Sequence, residues 1–473
     1  MTTKLDVIII GAGSAGLAAV RQVKKSTDKF VLINDGPYGT TCARVGCMPS
    51  KALIEVANAF HARKKAEAFG IRGSEHLCIN IPAVMQRVRA LRDRFVGGVL
   101  KSTEAMGERS IADRARLLGP NEVAVGNQVF LTRSIIIATG SRPVVPQPWQ
   151  VLGDRVLTTD TLFDQEDLPA RMAVIGLGAI GIEMAQALAR LGVAVHAFDS
   201  SDALAGISDP VVAESARKAL GEEFAIHTGH EVALSGTTNG VRVQAGPVDI
   251  EVDRVLTVIG RKPNLGDLGL ESLEALGVTL DQHGLPPFDR STLQIADLPV
   301  FIAGDANADV SLLHEAADEG YIAGVNAMTD KPICFQRRTP LSIVFSDPGI
   351  AAVGQRLDSL DTDQCLIGSV NFGSQGRALT AQRNQGVLRV YAAREDARIL
   401  GAEMCAPAAE HLSHLLALAI HRGLSAHDML AMPFYHPVLE EGLRTALRDI
   451  SQQSPGGRPD LSACGSYQAE ALD

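Results

Sequence analysis

Two cysteines, Cys42 and Cys47, enclose the four-residue spacer ARVG in TTCARVGCMPSKALIEVANAF, a stretch that begins at Thr40 and runs into a helical pattern. Thiols so placed can be part of a metal site, a chance pairing of small buried residues, or a dithiol–disulfide couple. In a regular helix, residues five apart lie about 7.5 Å apart along the axis, too far for their sulfurs to meet easily. The spacer must therefore leave helical geometry, and Gly46 is where it can. Pro49 suits the first turn of a helix, which puts Cys47 at a helix N-terminus, a position that favours a thiolate. A zinc site would call for matched ligands elsewhere, and no second Cys or His pair complements this one.

Thiol exchange needs a base, because the thiolate is the attacking species. Among 12 histidines, His436 stands out because Glu441 follows it by five residues in HPVLEEGLRTAL. A carboxylate bonded to one ring nitrogen fixes the tautomer and raises basicity at the other.

The elements that must position these groups can be read on either side of them. Residues 5–33 read as strand, turn, helix, strand, with glycines at Gly11, Gly13 and Gly16 in the turn GAGSAG. The first glycine permits the tight turn, the second lets a pyrophosphate approach, and the third lets helix and strand pack closely. RMAVIG–GLGAIG–IEMAQALARLG–VAVHAFD repeats the pattern with Gly176, Gly178 and Gly181. Two such units in one chain predict two dinucleotides, a flavin and a nicotinamide, arranged to pass electrons. About 20 residues past each turn, a polar group selects the nucleotide. In the second unit it is Asp199, whose carboxylate suits an adenosine ribose and repels a 2′-phosphate, so NAD is expected; the plainer alternative is a capping role before SSDAL. In the first unit Asn34 holds that place with Asp35 beside it, and either could meet the ribose.

Composition agrees. The 473 residues suffice for two to four domains, and 45 glycines with 4% aromatics suit an alternating α/β protein. A net charge of -10 without basic blocks argues against nucleic acid and membrane surfaces. The opening MTTKLDVIIIGAG lacks a signal-peptide plan, which predicts a cytoplasmic protein where structural disulfides are uncommon. Cys78, Cys334, Cys365 and Cys405 are expected to be small buried apolar residues, and Cys464 is a single thiol near the end.

The chain resembles the pyridine nucleotide–disulfide oxidoreductases, and within them the dihydrolipoyl dehydrogenases, from residue 5 to about 450. Besides the glycine turns, the likeness rests on ATGSRP at Ala138–Pro143, IGRKPN at Ile259–Asn264, FIAGDA at Phe301–Ala306 and YHPVLEEGLRTAL from Tyr435. It implies an α/β architecture: two Rossmann-like domains, for FAD and NAD, and a C-terminal α+β interface domain. The FAD domain would take residues 1–149 and 263–336, the NAD domain 150–262, and the dimerisation domain 337–451. The polar stretch 452–473 would be a flexible tail.

The resemblance also resolves the cysteines as a redox couple. Cys42 would be the interchange thiol that meets the substrate, and Cys47 the charge-transfer thiol facing the flavin. Lys51 would lie near flavin N5 with Glu183 as its partner. Asp305 would hold the ribityl or phosphate region, and His314 would approach the flavin through its backbone at the start of a helix. Thr41, Thr139, Gly140, Gly260 and Gly304 complete the implied cofactor contacts. The His436–Glu441 dyad would serve the opposite subunit of a homodimer. The implied reaction is oxidation of dihydrolipoyl groups on a carrier protein or multienzyme complex, with reduction of NAD⁺. The chain departs from the family in having Thr40-Thr41 where Gly-Gly is common and Ala43-Arg44 where Leu-Asn is common, the mark of a divergent branch. Two alternatives share the framework: an NAD(P)H-driven reductase of another disulfide or a metal ion, and a thiol-independent flavin transhydrogenase.

Overall fold

The computed structural model describes residues 3–454. After Asp6 the first strand carries only apolar side chains, a pattern that fits a parallel strand covered on both faces. Thr3–Ile10 forms that strand, and Val7, Ile8 and Ile9 have no exposed surface. Phe30–Ile33 and Gln128–Ile137 flank it in parallel, with Ile10 opposite Ile33 on one side and Ile137 on the other. Three strand ends thus finish level at the first glycine turn, the place where an open α/β sheet receives ligands.

The chain then leaves this sheet and comes back to it. Ser141–Pro143 leads out and Arg261–Pro263 leads back, the two paired antiparallel. Between them a second sheet is built around Arg171–Ile175, with Ala194–Phe198 and Arg254–Thr257 parallel on either side. A three-stranded antiparallel sheet spanning 233–252 packs on it through Val241, Val243 and Val252. After the return, Val300–Ile302 adds to the first sheet beside Gln128–Ile137.

The last part is a five-stranded antiparallel sheet running from Leu341–Val344 to Ile399–Ala406. Helices Ala409–Arg422 and Glu440–Gln453 back it. In Glu440–Gln453 the buried residues Leu443, Ala446, Leu447 and Ile450 recur at helical spacing, so one stripe seals the sheet. A buried polar knot fastens this sheet to the second one. Glu403 accepts hydrogen bonds from the Ser208 and Asp209 N–H groups and the Ser208 hydroxyl, while Asp209 accepts from Arg389 Nε at 2.8 Å. The Tyr391 hydroxyl lies 3.0 Å from Asp209 Oδ2 and 3.1 Å from Glu403 Oε2, and burial followed by these two charges pushes its pKa up.

Two expectations need correction. Cys365 and Cys405 are buried, but Cys78 and Cys334 are exposed. Cys78 ends a run of short 3₁₀ turns in which Phe69, Ile71 and Leu77 are also more than half exposed, too irregular a path to seat side chains in a core. The final helix continues to Gln453, beyond the expected start of the tail at 452, because its apolar stripe extends to Ile450 and a last turn follows it. Cys464 lies outside the described residues.

Candidate active site

The two glycine turns share one geometry. Gly11 and Gly176 have φ of +110° and +103°, where a side chain would be strained, and a Cβ on either would collide with a neighbouring strand's carbonyl. A Cβ on Gly16 or Gly181 would stand 1.8 Å from the carbonyl oxygen of Gly11 or Gly176 respectively. Gly13 and Gly178 are different: a Cβ there would meet nothing within 4 Å. Both line one cavity of about 390 Å³, and each is the N-cap of a helix whose first N–H groups face it. Open space at the middle glycine, beside unpaired helix N–H groups, is what a pyrophosphate requires.

The residues past each turn also correspond. Asn34 Oδ1 accepts the Ala12 N–H at 3.0 Å, and Asp199 Oδ2 accepts the Leu177 N–H at 2.7 Å. Both side chains thus brace the glycine turn; Asp199 additionally accepts the Ser201 N–H in a local turn, but SSDAL forms bends and not a helix, so the capping alternative does not hold. Asn34 and Asp35 line a second cavity of about 310 Å³ with Thr139 and Arg114, and Arg114 Nε lies 3.6 Å from Asp35. Thr139 Oγ1 is buried without a hydrogen-bond partner, an orphan that a ligand would satisfy. Open glycine cradles and this orphan hydroxyl fit a dinucleotide laid along the first turn.

The thiols meet where helix Thr41–Arg44 stops and helix Cys47–His61 starts. Val45 and Gly46 interrupt the helical path, and a Cβ on Gly46 would crowd the Thr41 carbonyl at 3.1 Å. Cys42 and Cys47 are unlinked thiols here, and both line the larger cavity. The Cys42 S–H bonds the Cys47 sulfur; with help from Lys51 and the helix amide this draws Cys47 from 9.0 to about 7, against burial and the Glu183 charge. The same hydrogen bond, with burial, pushes Cys42 up. Thr40 caps the first short helix at φ 59°, accepting the Ala43 N–H at 3.2 Å, a backbone conformation that is strained for a β-branched residue. Thr41, the first residue of that helix, lines the cavity.

Lys51 and Glu183 come together across 132 residues of sequence, with Nζ 3.0 and 2.8 Å from the two carboxylate oxygens. Sequence reasoning missed the third member. Phe345 donates its N–H to Glu183 Oε1 at 3.0 Å and sets its ring 4.4 Å from the Lys51 ammonium. No motif marks it, since the contact arises only where the third sheet meets the first two.

The remaining expected residues fall at different depths. Gly140, Gly304 and Asp305 line the larger cavity. Gly260 has φ +121° with open space beside it, next to the cavity residue Arg261. His314 is the second residue of helix Leu313–Asn326; Leu312, Leu313 and Ala316 line the cavity wall, whereas its own ring is half exposed, 3.7 Å from Glu315. His436 Nδ1 lies 3.1 Å from both Glu441 oxygens, and that hydrogen bond holds the Glu441 carboxyl below the usual range. The ring is 80% exposed and is not among the residues that line the thiol cavity. Within one chain the dyad and the thiols do not meet there.

Paired dinucleotide folds, a tuned dithiol and a separate C-terminal sheet together define a flavoprotein disulfide oxidoreductase fold. Residues 5–320 match the pyridine nucleotide-disulphide oxidoreductase family and residues 341–447 match its dimerisation domain, so the chain belongs to that family. The family binds FAD and NAD(P), and its dimerisation domain supports a homodimer. Dihydrolipoyl dehydrogenase from Thermus scotoductus is 30% identical over 95% of this chain and 98% of its own length. The Geobacillus stearothermophilus dihydrolipoyl dehydrogenase is 29% identical over 92% and 94%. Among solved structures, LpdA from Mycobacterium tuberculosis aligns over 94% of this chain and 99% of its own, with a TM-score of 0.82 at 24% identity. The HOCl-induced flavoprotein disulfide reductase RclA from Escherichia coli, in its Cu(II) complex, aligns over 94% and 99% with the same TM-score at 21% identity. Among the described residues no helix is long and apolar enough to cross a membrane.

Proposed function

We propose that this protein oxidises dihydrolipoyl groups of a carrier protein and passes the electrons to NAD⁺. The observation that carries the reading is the Cys42–Cys47 pair itself: two thiols set at the break between two helices, both lining the cavity that the middle glycines of the two turns also line. In the oxidised enzyme the two sulfurs form a disulfide. A substrate thiolate attacks Cys42, and Cys47 leaves as a thiolate, which its low pKa favours. The second substrate thiol then displaces Cys42 from the mixed disulfide, so the substrate departs as a disulfide and the enzyme holds two reduced sulfurs. Bound FAD supplies the two-electron carrier between the dithiol and NAD⁺. Nδ1 of His436 faces Glu441, so that carboxylate keeps the proton on Nδ1 and leaves Nε2 to accept one from the substrate thiol. The dyad of one subunit serves the thiols of the other, consistent with the exposure of His436 and with neither residue lining the thiol cavity of its own chain.

In this reading residues 1–149 and 263–336 form the FAD domain, 150–262 the NAD domain and 337–453 the interface domain, which includes the whole final helix. Lys51 and Glu183 organise the nicotinamide side next to Cys47, Asp305 orients the flavin chain, and the Asp199 carboxylate favours NAD over NADP. Full-length similarity to proteins named dihydrolipoyl dehydrogenase supports the substrate class.

The test is turnover of dihydrolipoamide with NAD⁺ and with NADP⁺ by wild type and Cys47→Ser. NAD⁺-selective turnover that vanishes in the variant is expected. A protein inactive on dihydrolipoamide that oxidises NADH with another acceptor would overturn the lipoyl reading in favour of a reductase of a different disulfide.

A further inference from the structure

Behind the cavity, the out-going and returning strands bring three side chains into line. Arg261 Nε donates to Ser141 Oγ at 2.7 Å, and Ser141 Oγ donates to Asp305 Oδ2 at 2.6 Å. The direction is fixed by donor inventory. A guanidinium can only donate and an ionised carboxylate can only accept, so the single hydroxyl proton must point to Asp305. Arg261 also donates to the Ser141 carbonyl at 2.8 Å, which anchors the guanidinium to the out-going strand. Arg261 and Asp305 line the large cavity, whereas Ser141 is 9% exposed and stands behind them.

The arrangement is unusual in what it prevents. Arg261 Nε and Asp305 Oδ2 are 3.8 Å apart, close enough to attract but separated by the hydroxyl. Without it, the pair would close into a direct salt bridge and draw the carboxylate out of the cavity, since a guanidinium–carboxylate contact pairs two full charges and can be bidentate, which makes it stronger than either bond to a hydroxyl. We propose that Ser141 is a positioning residue for FAD: it holds Arg261 off Asp305 and so presents that carboxylate to the hydroxyl-bearing chain of the cofactor. A carboxylate suits a polyol, whose hydroxyls donate, better than a phosphate, which it repels. Because Arg261 lies on the strand returning from the second sheet, the same contact ties the junction between the two sheets to the flavin cavity. The inference rests on FAD as the resident cofactor and is independent of the thiol substrate.

The test uses apoprotein of the full chain, reconstituted with FAD and followed by flavin fluorescence. Ser141→Ala is expected to weaken FAD affinity about tenfold, the scale of one hydrogen bond to a charged group. Ser141→Thr, which keeps the hydroxyl, should restore affinity to within about twofold of wild type, well inside the scale of that bond. Ser141→Ala combined with Arg261→Met should bind FAD no more weakly than Ser141→Ala alone, because the competing cation is gone. The thermal midpoint of the apoprotein should be the same for wild type and Ser141→Ala, which separates positioning from general destabilisation. Unchanged FAD affinity in Ser141→Ala would overturn the proposal, as would a double variant weaker than either single one or an apoprotein midpoint that falls in step with affinity.

Discussion

Replacing Lys51 with methionine removes an ammonium that lies 2.8 Å from Glu183 and one helical turn beyond Cys47. Side chains one turn apart on a helix are about 6 Å from each other. At an effective dielectric of about 20, unit charges at that distance interact by roughly 2.8 kcal/mol. Lys51 is one-third exposed, so solvent screens part of this, and halving the figure leaves about one pH unit. The loss also leaves Glu183 with only the Phe345 N–H and no cation, and a carboxylate so placed opposes a nearby thiolate in the same sense. Cys47 should therefore ionise at about 8 or above in Lys51→Met instead of about 7. The assay is the pH dependence of iodoacetamide labelling of the reduced protein, with Cys47 and Cys42 peptides counted separately by mass spectrometry. Wild-type labelling of Cys47 should be half-maximal near pH 7, because the thiolate reacts and is present above that value. Lys51→Arg keeps the charge and should stay near wild type. A Cys47 midpoint in Lys51→Met that does not rise would refute the assignment of Lys51 as an electrostatic support of this thiolate.

His436→Gln should lower dihydrolipoamide turnover by roughly 100- to 10,000-fold, the usual worth of a general base. NADH oxidation by a small quinone that bypasses the thiols should survive in that variant, and its loss would point to damage at the flavin instead. Asn34→Asp keeps the acceptor for the Ala12 N–H and adds the charge that Asp199 has in the second turn. It should tighten FAD roughly fivefold, measured by reconstitution of apoprotein, and unchanged affinity would show that the ribose contact lies elsewhere. Tyr391→Phe leaves two buried carboxylates short of a donor and should cost about 1–3 kcal/mol in denaturant unfolding while KM for NAD⁺ stays constant. Wild-type stability in that variant would mean the Asp209–Glu403 knot is satisfied without the hydroxyl.

The parts of the site that sequence made legible are those where backbone geometry or charge leaves few residue choices. Gly11 and Gly16 could be read because any Cβ there collides, and Gly46 because the thiols cannot approach along an unbroken helix. Lys51 and Glu183 were legible through the resemblance, although 132 residues separate them. Phe345 was not, because its contacts with Glu183 and Lys51 join distant segments and leave no periodic or spaced signal, and Ser141 showed only as a member of ATGSRP, since its links to Arg261 and Asp305 also span distant segments. The expected helix near His314 is present, with Leu312, Leu313 and Ala316 lining the cavity while the His314 ring is half exposed. Cys78 failed for the opposite reason: composition says what a residue prefers, and the irregular chain around it offers no interior to enter.

The antiparallel pairing of Ser141–Pro143 with Arg261–Pro263 has a consequence for how the chain is made. It behaves as a hairpin whose loop is a whole second sheet with its own core. Val300–Ile302 must find Gln128–Ile137 across more than 160 residues, a closure that is slow and entropically costly for an open chain. Once the inserted part has folded, its two ends already stand side by side, and the chain left to close shrinks to the stretch between Pro263 and Val300. On a ribosome every residue of the nested sheet emerges before residue 300 does. The order of protection in pulsed hydrogen exchange should therefore place Arg171–Ile175 ahead of Val300–Ile302, and the reverse order would show that the outer sheet closes without this help.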